Sequence, residues 1–202
     1  RLADMSLGIE ALITDDEARA LNIARQLDAY NRERKEIEAD MQAQALTFLD
    51  SIDPQESAAI SLFDADWHQG VIGILASRIK EQYHRPVFAF ARSEGGELKG
   101  SGRSINGLHL RDALDLIAKR EPGLLKRFGG HAMAAGATIL EADFPRFGEL
   151  FAQIASELLS PADLTHTLET DGPLESSHFS ILSARLLEDE VWGQGFPAPL
   201  FE

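Results

Sequence analysis

The sequence predicts an α/β fold: a layered domain over residues 54–160, reached through one long helix and followed by a partial C-terminal module. Three observations carry this. Short apolar runs bounded by turn residues alternate with amphipathic stretches of helical period through the middle of the chain. A run without glycine or proline, residues 14–50, precedes them. The 44% hydrophobic content over 202 residues is enough for a buried core and excludes wholesale disorder.

Residues 1–13 read as the end of a preceding unit, and 14–53 as a connecting helix. Thr14-Asp15-Asp16-Glu17 is a capping box, with Thr14 positioned to accept an amide and Glu17 to reach back. The residues that follow are rich in Ala, Leu, Glu, Arg and Gln, all good helix formers. Leu21, Ala24, Leu27, Ile37, Met41, Leu46 and Leu49 make a stripe broken by the charged stretch 31–36. That is too weak for a coiled-coil seam and suits a bridge with a solvated middle.

Beyond Pro54, residues 58–63 form a strand candidate, and residues 70–82 a helix burying Ile72, Leu75, Ala76 and Ile79. Pro86 stops that helix, and residues 87–91 make a second buried strand. Glu94-Gly95-Gly96-Glu97 signals a hairpin turn. Leu110–Arg120 is amphipathic and closed by Pro122-Gly123. Residues 136–140 read as a strand, and 144–159 as a helix stopped by Ser160-Pro161. Residues 161–202 read as the start of another module, with an exposed strand expected at 165–171. Opening on Arg-Leu-Ala-Asp without methionine, the sequence suggests a piece of something longer.

Composition narrows the function. The absence of cysteine removes disulfides, thiolate catalysis and cysteine-held metals. No apolar run approaches the ~20 residues of a membrane helix and no signal peptide opens the chain, so the expected compartment is the cytoplasm. A formal charge of −14 argues against a generic polyanion binder. The charge is segregated, however. Residues 67–136 hold eleven Lys/Arg against six acids, a net of +5, and the remainder carries −19.

Three glycine-bearing segments lie inside that basic window. Trp67-His68-Gln69-Gly70-Val71-Ile72-Gly73 sits where a strand gives way to a helix, whose free amides can meet an anion. In Lys99-Gly100-Ser101-Gly102-Arg103-Ser104, two glycines would let amides converge, with hydroxyls and two cations beside them. Gly129-Gly130-His131-Ala132-Met133-Ala134-Ala135-Gly136 suggests a tightly packed helical turn with His131 outward at its start. The six histidines are not spaced as ligand pairs. Asp15-Asp16 looks like a cap and Glu188-Asp189-Glu190 a solvated run. The expectation is a chain that grips a phosphate but holds no metal.

Together these segments resemble the DHH phosphoesterase superfamily, and within it the C-terminal half of the catalytic core of the bacterial single-strand-specific DNA exonucleases. Residues 1–8 resemble the end of a DHH domain. The stretch 67–86, the 100–104 segment and Gly129–Gly136 resemble the DHH-associated domain. Trp192-Gly193-Gln194-Gly195-Phe196-Pro197 resembles the approach to an oligonucleotide-binding (OB-fold) barrel. The resemblance implies a mixed sheet flanked by helices, and a manganese- or magnesium-dependent hydrolase. Such an enzyme removes nucleotides from the 5′ end of single-stranded DNA in repair and recombination. Its metal ligands would lie in the preceding DHH domain, leaving this chain inactive alone. It places Arg103, Ser101 and His131 at the terminal phosphates, His131 with a catalytic contact. Gly102, Ser104, Gly129, Gly130, His68 and Trp67 would line the same site, and Arg1 would contribute from the other domain. Implied partners are single-stranded DNA, single-stranded-DNA-binding protein and recombination helicases. Ala3 stands where the family commonly has Asp, so no acidic role is carried onto it. Two other readings stay open: a DHH enzyme acting on short oligonucleotides or small phosphoesters, and a noncatalytic module dimerising through its long helix.

Overall fold

The computed structural model describes residues 5–49, 57–193 and 196–202, except the side chain of residue 48. It divides into two units, residues 1–165 and 166–202.

A short helix, α1 (Ser6–Ile13), leads into the long helix α2 (Glu17–Leu49). The cap falls two residues later than the sequence suggests. Asp16 Oδ1 accepts the Arg19 amide at 3.0 Å, while Thr14 Oγ1 accepts the Asp16 amide at 3.2 Å and shapes the turn before it. Arg19 also forks onto Glu10 of α1 at 2.6 and 2.9 Å. Residues 28–33 of α2 are exposed throughout. Farther along, Met41, Ala45 and Leu49 recur at helical spacing and are buried against the domain that follows.

That domain holds a five-stranded mixed sheet in the order β1-β2-β3-β5-β4. β1 (Ile60–Asp64) and β2 (Val87–Arg92) are parallel, joined by α3 (Ile72–Tyr83). β3 (Glu97–Arg103), β5 (Ala134–Leu140) and β4 (Arg127–Gly130) continue antiparallel. Gly95 and Gly96 have φ of 70° and 75°, as the β2–β3 turn demands. α4 (Leu110–Arg120) and α5 (Phe144–Leu158) cover one face of the sheet. α3 and the end of α2 cover β1 and β2 on the other.

β2 shows how the sequence builds two cores at once. Its alternation puts Phe88 and Phe90 on one face and Val87, Ala89 and Ala91 on the other. Phe88 meets Phe147 and Phe151 of α5 edge-on, with centroids 5.2 and 5.3 Å apart.

Two elements differ from the sequence reading. The segment expected to cradle phosphate with its amides is strand β3, and its backbone is spent on ladders to β2 and β5. Gly100 and Gly102 are there for volume. A Cβ on Gly102 would lie 2.5 Å from Phe88 Cζ, and one on Gly100 would enter the Phe90 ring. The second is the expected helical turn after Gly130, which is instead the tip of the β4–β5 hairpin. Gly130 has φ of 144°, and a Cβ on it would collide with Ala134. Small residues at 134–136 read equally well as tight helix packing, and only the ladder settles the matter.

In the second unit, α6 (Ile181–Glu188) is capped by Ser180, whose Oγ accepts the Ser183 amide at 3.2 Å. Trp192 stacks on Phe196 at 5.1 Å and donates its indole N–H to the Leu187 carbonyl. No strand forms at 165–171; the extended segment meets the chain end where Asp171 and Leu200 exchange hydrogen bonds and Thr170 donates its hydroxyl to Glu202 at 2.6 Å.

Replacing Gly100 by Ala should destabilise the domain by about 1–3 kcal/mol through overpacking, measured by urea unfolding. Adding Phe90→Leu should return part of that loss. Additive effects of the two changes would mean that the ring does not explain the glycine.

Candidate nucleic-acid interface

The strand pairings that built the fold also decide which sequence-predicted residues meet. Leu98, Gly100 and Gly102 face the phenylalanine core, so Lys99, Ser101 and Arg103 point to the opposite face. Ser101 pairs with Gly136, and Gly136 with Gly129; Arg103 pairs with Ala134. Beside Ser101 and Arg103 therefore lies a floor bearing nothing larger than a methyl group. Ala134 and Gly136 are exposed, and Gly129 partly so.

α3 walls this floor, beginning at its first turn. A Cβ on Gly73 would lie 3.0 Å from both Arg103 Nη2 and Ser101 Oγ. Arg103 Nη1 donates to Gly102 O at 2.8 Å and to Ser101 Oγ at 3.2 Å, which steers the guanidinium along its own strand. Ile72 and Gly73 occupy the first helical turn, where amides lack an intrahelical acceptor. The His131 imidazole is exposed at the hairpin tip. Its amide donates to Ala134 O at 2.8 Å, and the Ser104 amide donates to Met133 O at 3.0 Å, so His131 and Arg103 occupy the same end of the sheet.

Other expected site residues have structural duties. Trp67 is buried, and its indole donates to Gln44 of α2 at 3.0 Å, fastening the long helix to the domain. His68 Nδ1 accepts the Gly70 amide at 3.0 Å and shapes the turn into α3. Ser104 is 1% exposed and donates its hydroxyl to Leu108 O at 2.8 Å, so it cannot reach a phosphate. Gly102 faces the aromatic core, and Gly130 makes the hairpin turn. Arg1 lies outside the described residues.

The basic window is largely spent on internal pairs. Arg92 forks onto Glu141 and Arg120 onto Glu157; these hydrogen bonds hold both carboxyls below the usual range. Arg78 reaches Glu38, Lys119 reaches Asp115 and Arg127 reaches Glu97. Arg111 lies over the Phe128 ring, and Arg85 is buried on backbone carbonyls. Of the window's remaining cations, Lys80, Lys99, Arg103 and Lys126 make no ion pair among the described residues. Two of these four, Lys99 and Arg103, flank Ser101 on the open face.

The described residues bring no three His, Asp or Glu side chains into a set that fits a metal ion. The chain does contain one Asp-x-Asp pair, Asp64-Ala65-Asp66, which the sequence reading passes over. Asp64 Oδ1 accepts the Asp66 amide at 2.8 Å and closes a turn. No helix among the described residues is long and apolar enough to cross a membrane.

A mixed sheet with helices on one face and a half-open second face defines a known class of domain. The chain belongs to the DHHA1 domain family, whose model matches residues 55–157. Over its whole length it is similar to the single-stranded-DNA-specific exonuclease RecJ. It is 48% identical to RecJ of Salmonella typhimurium and 47% to that of Escherichia coli, and spans 36% of each relative's length. RecJ from Thermus thermophilus, solved in complex with Mg2+, superposes with a TM-score of 0.81 at 34% identity; the match covers 97% of this chain and 29% of that one. The same protein solved with Mn2+ also gives 0.81.

If the Gly73 approach positions Arg103, then Gly73→Ala should weaken anion binding by displacing the guanidinium, while the melting temperature changes little. Ser104→Ala should do the reverse, costing about 1 kcal/mol of stability and leaving binding intact. Thermal melts and phosphate titrations on the two variants check both.

Proposed function

We propose that this chain is the substrate-holding part of a single-strand-specific 5′–3′ DNA exonuclease that works in DNA repair and recombination in the bacterial cytoplasm. The observation that carries the reading is the Ser101–Arg103 pair. It is a guanidinium without a carboxylate partner, held beside the first turn of α3, over a floor of glycine and alanine.

The chemistry follows from the donors. Arg103 Nη1 is occupied by Gly102 O and Ser101 Oγ, which leaves Nη2 directed toward Gly73. A terminal phosphate there would meet a charge-assisted N–H, the Ser101 hydroxyl and first-turn amides. The glycine and alanine floor lets a sugar-phosphate chain approach the sheet closely. His131, at the same end, donates to a phosphate from its exposed imidazole. In this reading a divalent ion, such as the Mg2+ or Mn2+ of the Thermus RecJ complexes, is held by ligands outside this chain. Beyond single-stranded DNA, the partners that accompany the reading are single-stranded-DNA-binding protein and recombination helicases.

The test uses 5′-labelled oligonucleotides. The chain should bind 5′-phosphorylated single strands more tightly than 5′-hydroxyl strands or duplex, and release no mononucleotide with Mn2+. Arg103→Ala should cost about 1.5–3 kcal/mol of binding, a loss of about 10- to 100-fold. His131→Ala, placed in a full-length relative, should lower kcat more than it raises KM if the imidazole meets the scissile phosphate. Unchanged affinity in Arg103→Ala, or hydrolysis by the chain alone, would overturn the assignment. A preference for two- to five-nucleotide fragments over long strands would move it to an oligonucleotide phosphodiesterase.

A further inference from the structure

The wall of the anion site leans on the long helix. Met41, Ala45 and Leu49 of α2 share one buried cluster with Trp67, Val71, Ile72 and Leu75, the residues that lead into α3 and form its first turns. Two polar links cross from α2 as well. The Trp67 indole donates to Gln44 Oε1 at 3.0 Å, and Arg78, farther along α3, donates to Glu38 at 3.4 Å. From Trp67 to Gly73 the backbone is closed by short-range bonds. His68 Nδ1 accepts the Gly70 amide at 3.0 Å, His68 O the Val71 amide at 2.9 Å, and Val71 O the Ile74 amide at 2.9 Å. A displacement of Trp67 is therefore passed on to Gly73 rather than absorbed between them. At Gly73 only a hydrogen fits, since a Cβ would lie 3.0 Å from both Arg103 Nη2 and Ser101 Oγ.

We propose that Trp67 is a positioning residue for the phosphate site: held by α2 through Gln44, it sets how closely the first turn of α3 stands to Ser101 and Arg103. The proposal rests on the function proposed above and adds a regulation of that site. α2 is one unbroken helix whose other end is tied to α1, where Arg19 forks onto Glu10. Residues 28–33, between the two attachments, are exposed, so a tilt of the helix is resisted at its ends. A tilt imposed at the α1 end is felt at Gln44 and, through Trp67, at the Arg103 guanidinium. Linkage makes the effect reciprocal: a phosphate that draws Arg103 and the first-turn amides together also seats α2 more firmly on Trp67.

The experiment measures the affinity of the chain for 5′-phosphorylated and 5′-hydroxyl dT5, and hydrogen exchange of the α2 amides with and without the phosphorylated strand. Trp67→Phe keeps an aromatic ring in the cluster and removes the indole donor. It should lower the preference for the phosphorylated end about three- to tenfold, with affinity for the 5′-hydroxyl strand unchanged. Gln44 is exposed, so Gln44→Ala tests the same link without touching the core, and it should act in the same direction. Gln44→Glu, which keeps an acceptor for the indole, should retain the preference. The phosphorylated strand should slow exchange at residues 41–49 in the unsubstituted chain and not in Trp67→Phe. Ile117→Val, in the core on the other side of the sheet, is the control for lost stability: it should lower Tm and leave the preference intact. A preference that survives Trp67→Phe, or that falls as far in Ile117→Val, overturns the positioning role while the Arg103 site stands. No preference for the phosphorylated end in the unsubstituted chain removes the site and its positioning together.

Discussion

Gly100 and Gly102 face Phe90 and Phe88 across the β2–β3 ladder, and the capabilities of this chain follow from that exchange of volume. A central strand with large rings packed above it has to give up its own side chains on that face. β3 does so at Gly100 and Gly102, opposite the two rings. The positions between are then free to carry polar groups, and they carry Lys99, Ser101 and Arg103. The core is thus filled from β2 and α5, and the open face is supplied from β3. These glycines act through volume: they let the sheet close over the phenylalanines and so fix the direction of Ser101 and Arg103.

The same logic shows how far the sequence was legible. Amphipathic periods placed every helix of the DHHA1 domain within a few residues, because burying Ile72, Leu75, Ala76 and Ile79, or Phe147, Leu150, Phe151 and Ile154, leaves few alternatives. The grouping of Ser101, Arg103 and His131 into one charged window was also readable. What could not be read was the role of the small residues. A glycine that admits a ring and a glycine that frees an amide look identical until the partner strand is known. The Gly129–Gly136 segment failed as a helix for a related reason: runs of Ala and Gly have no period of their own, and the ladder to β3 decides their conformation.

Charge gave a partial signal for a different reason. Counting cations between residues 67 and 136 marks out a region, but three of the eleven neutralise acids brought from distant sequence. Glu141, Glu157 and Glu38 lie outside the window and hold Arg92, Arg120 and Arg78. Of the cations left without an ion pair among the described residues, the fold sets Lys99 and Arg103 beside Ser101.

The domain must also hold this face rigid while attached to neighbouring segments at both ends, and Arg85 meets that requirement. It is 8% exposed and meets no carboxylate; Nε donates to Ser57 O at 3.1 Å, and Nη1 to Leu164 O at 2.6 Å and His84 O at 3.0 Å. Ser57 precedes β1 and Leu164 follows α5, so one guanidinium ties the way into the sheet to the way out. A lysine has three donors on a single atom and could not span acceptors set this far apart, whereas the planar fork of arginine can. Arg85 stands two residues before Val87, which pairs with Arg103. The tie is therefore made at the end of the sheet where Arg103 and His131 stand. The buried arginine therefore braces the end of the sheet that carries Arg103 and His131.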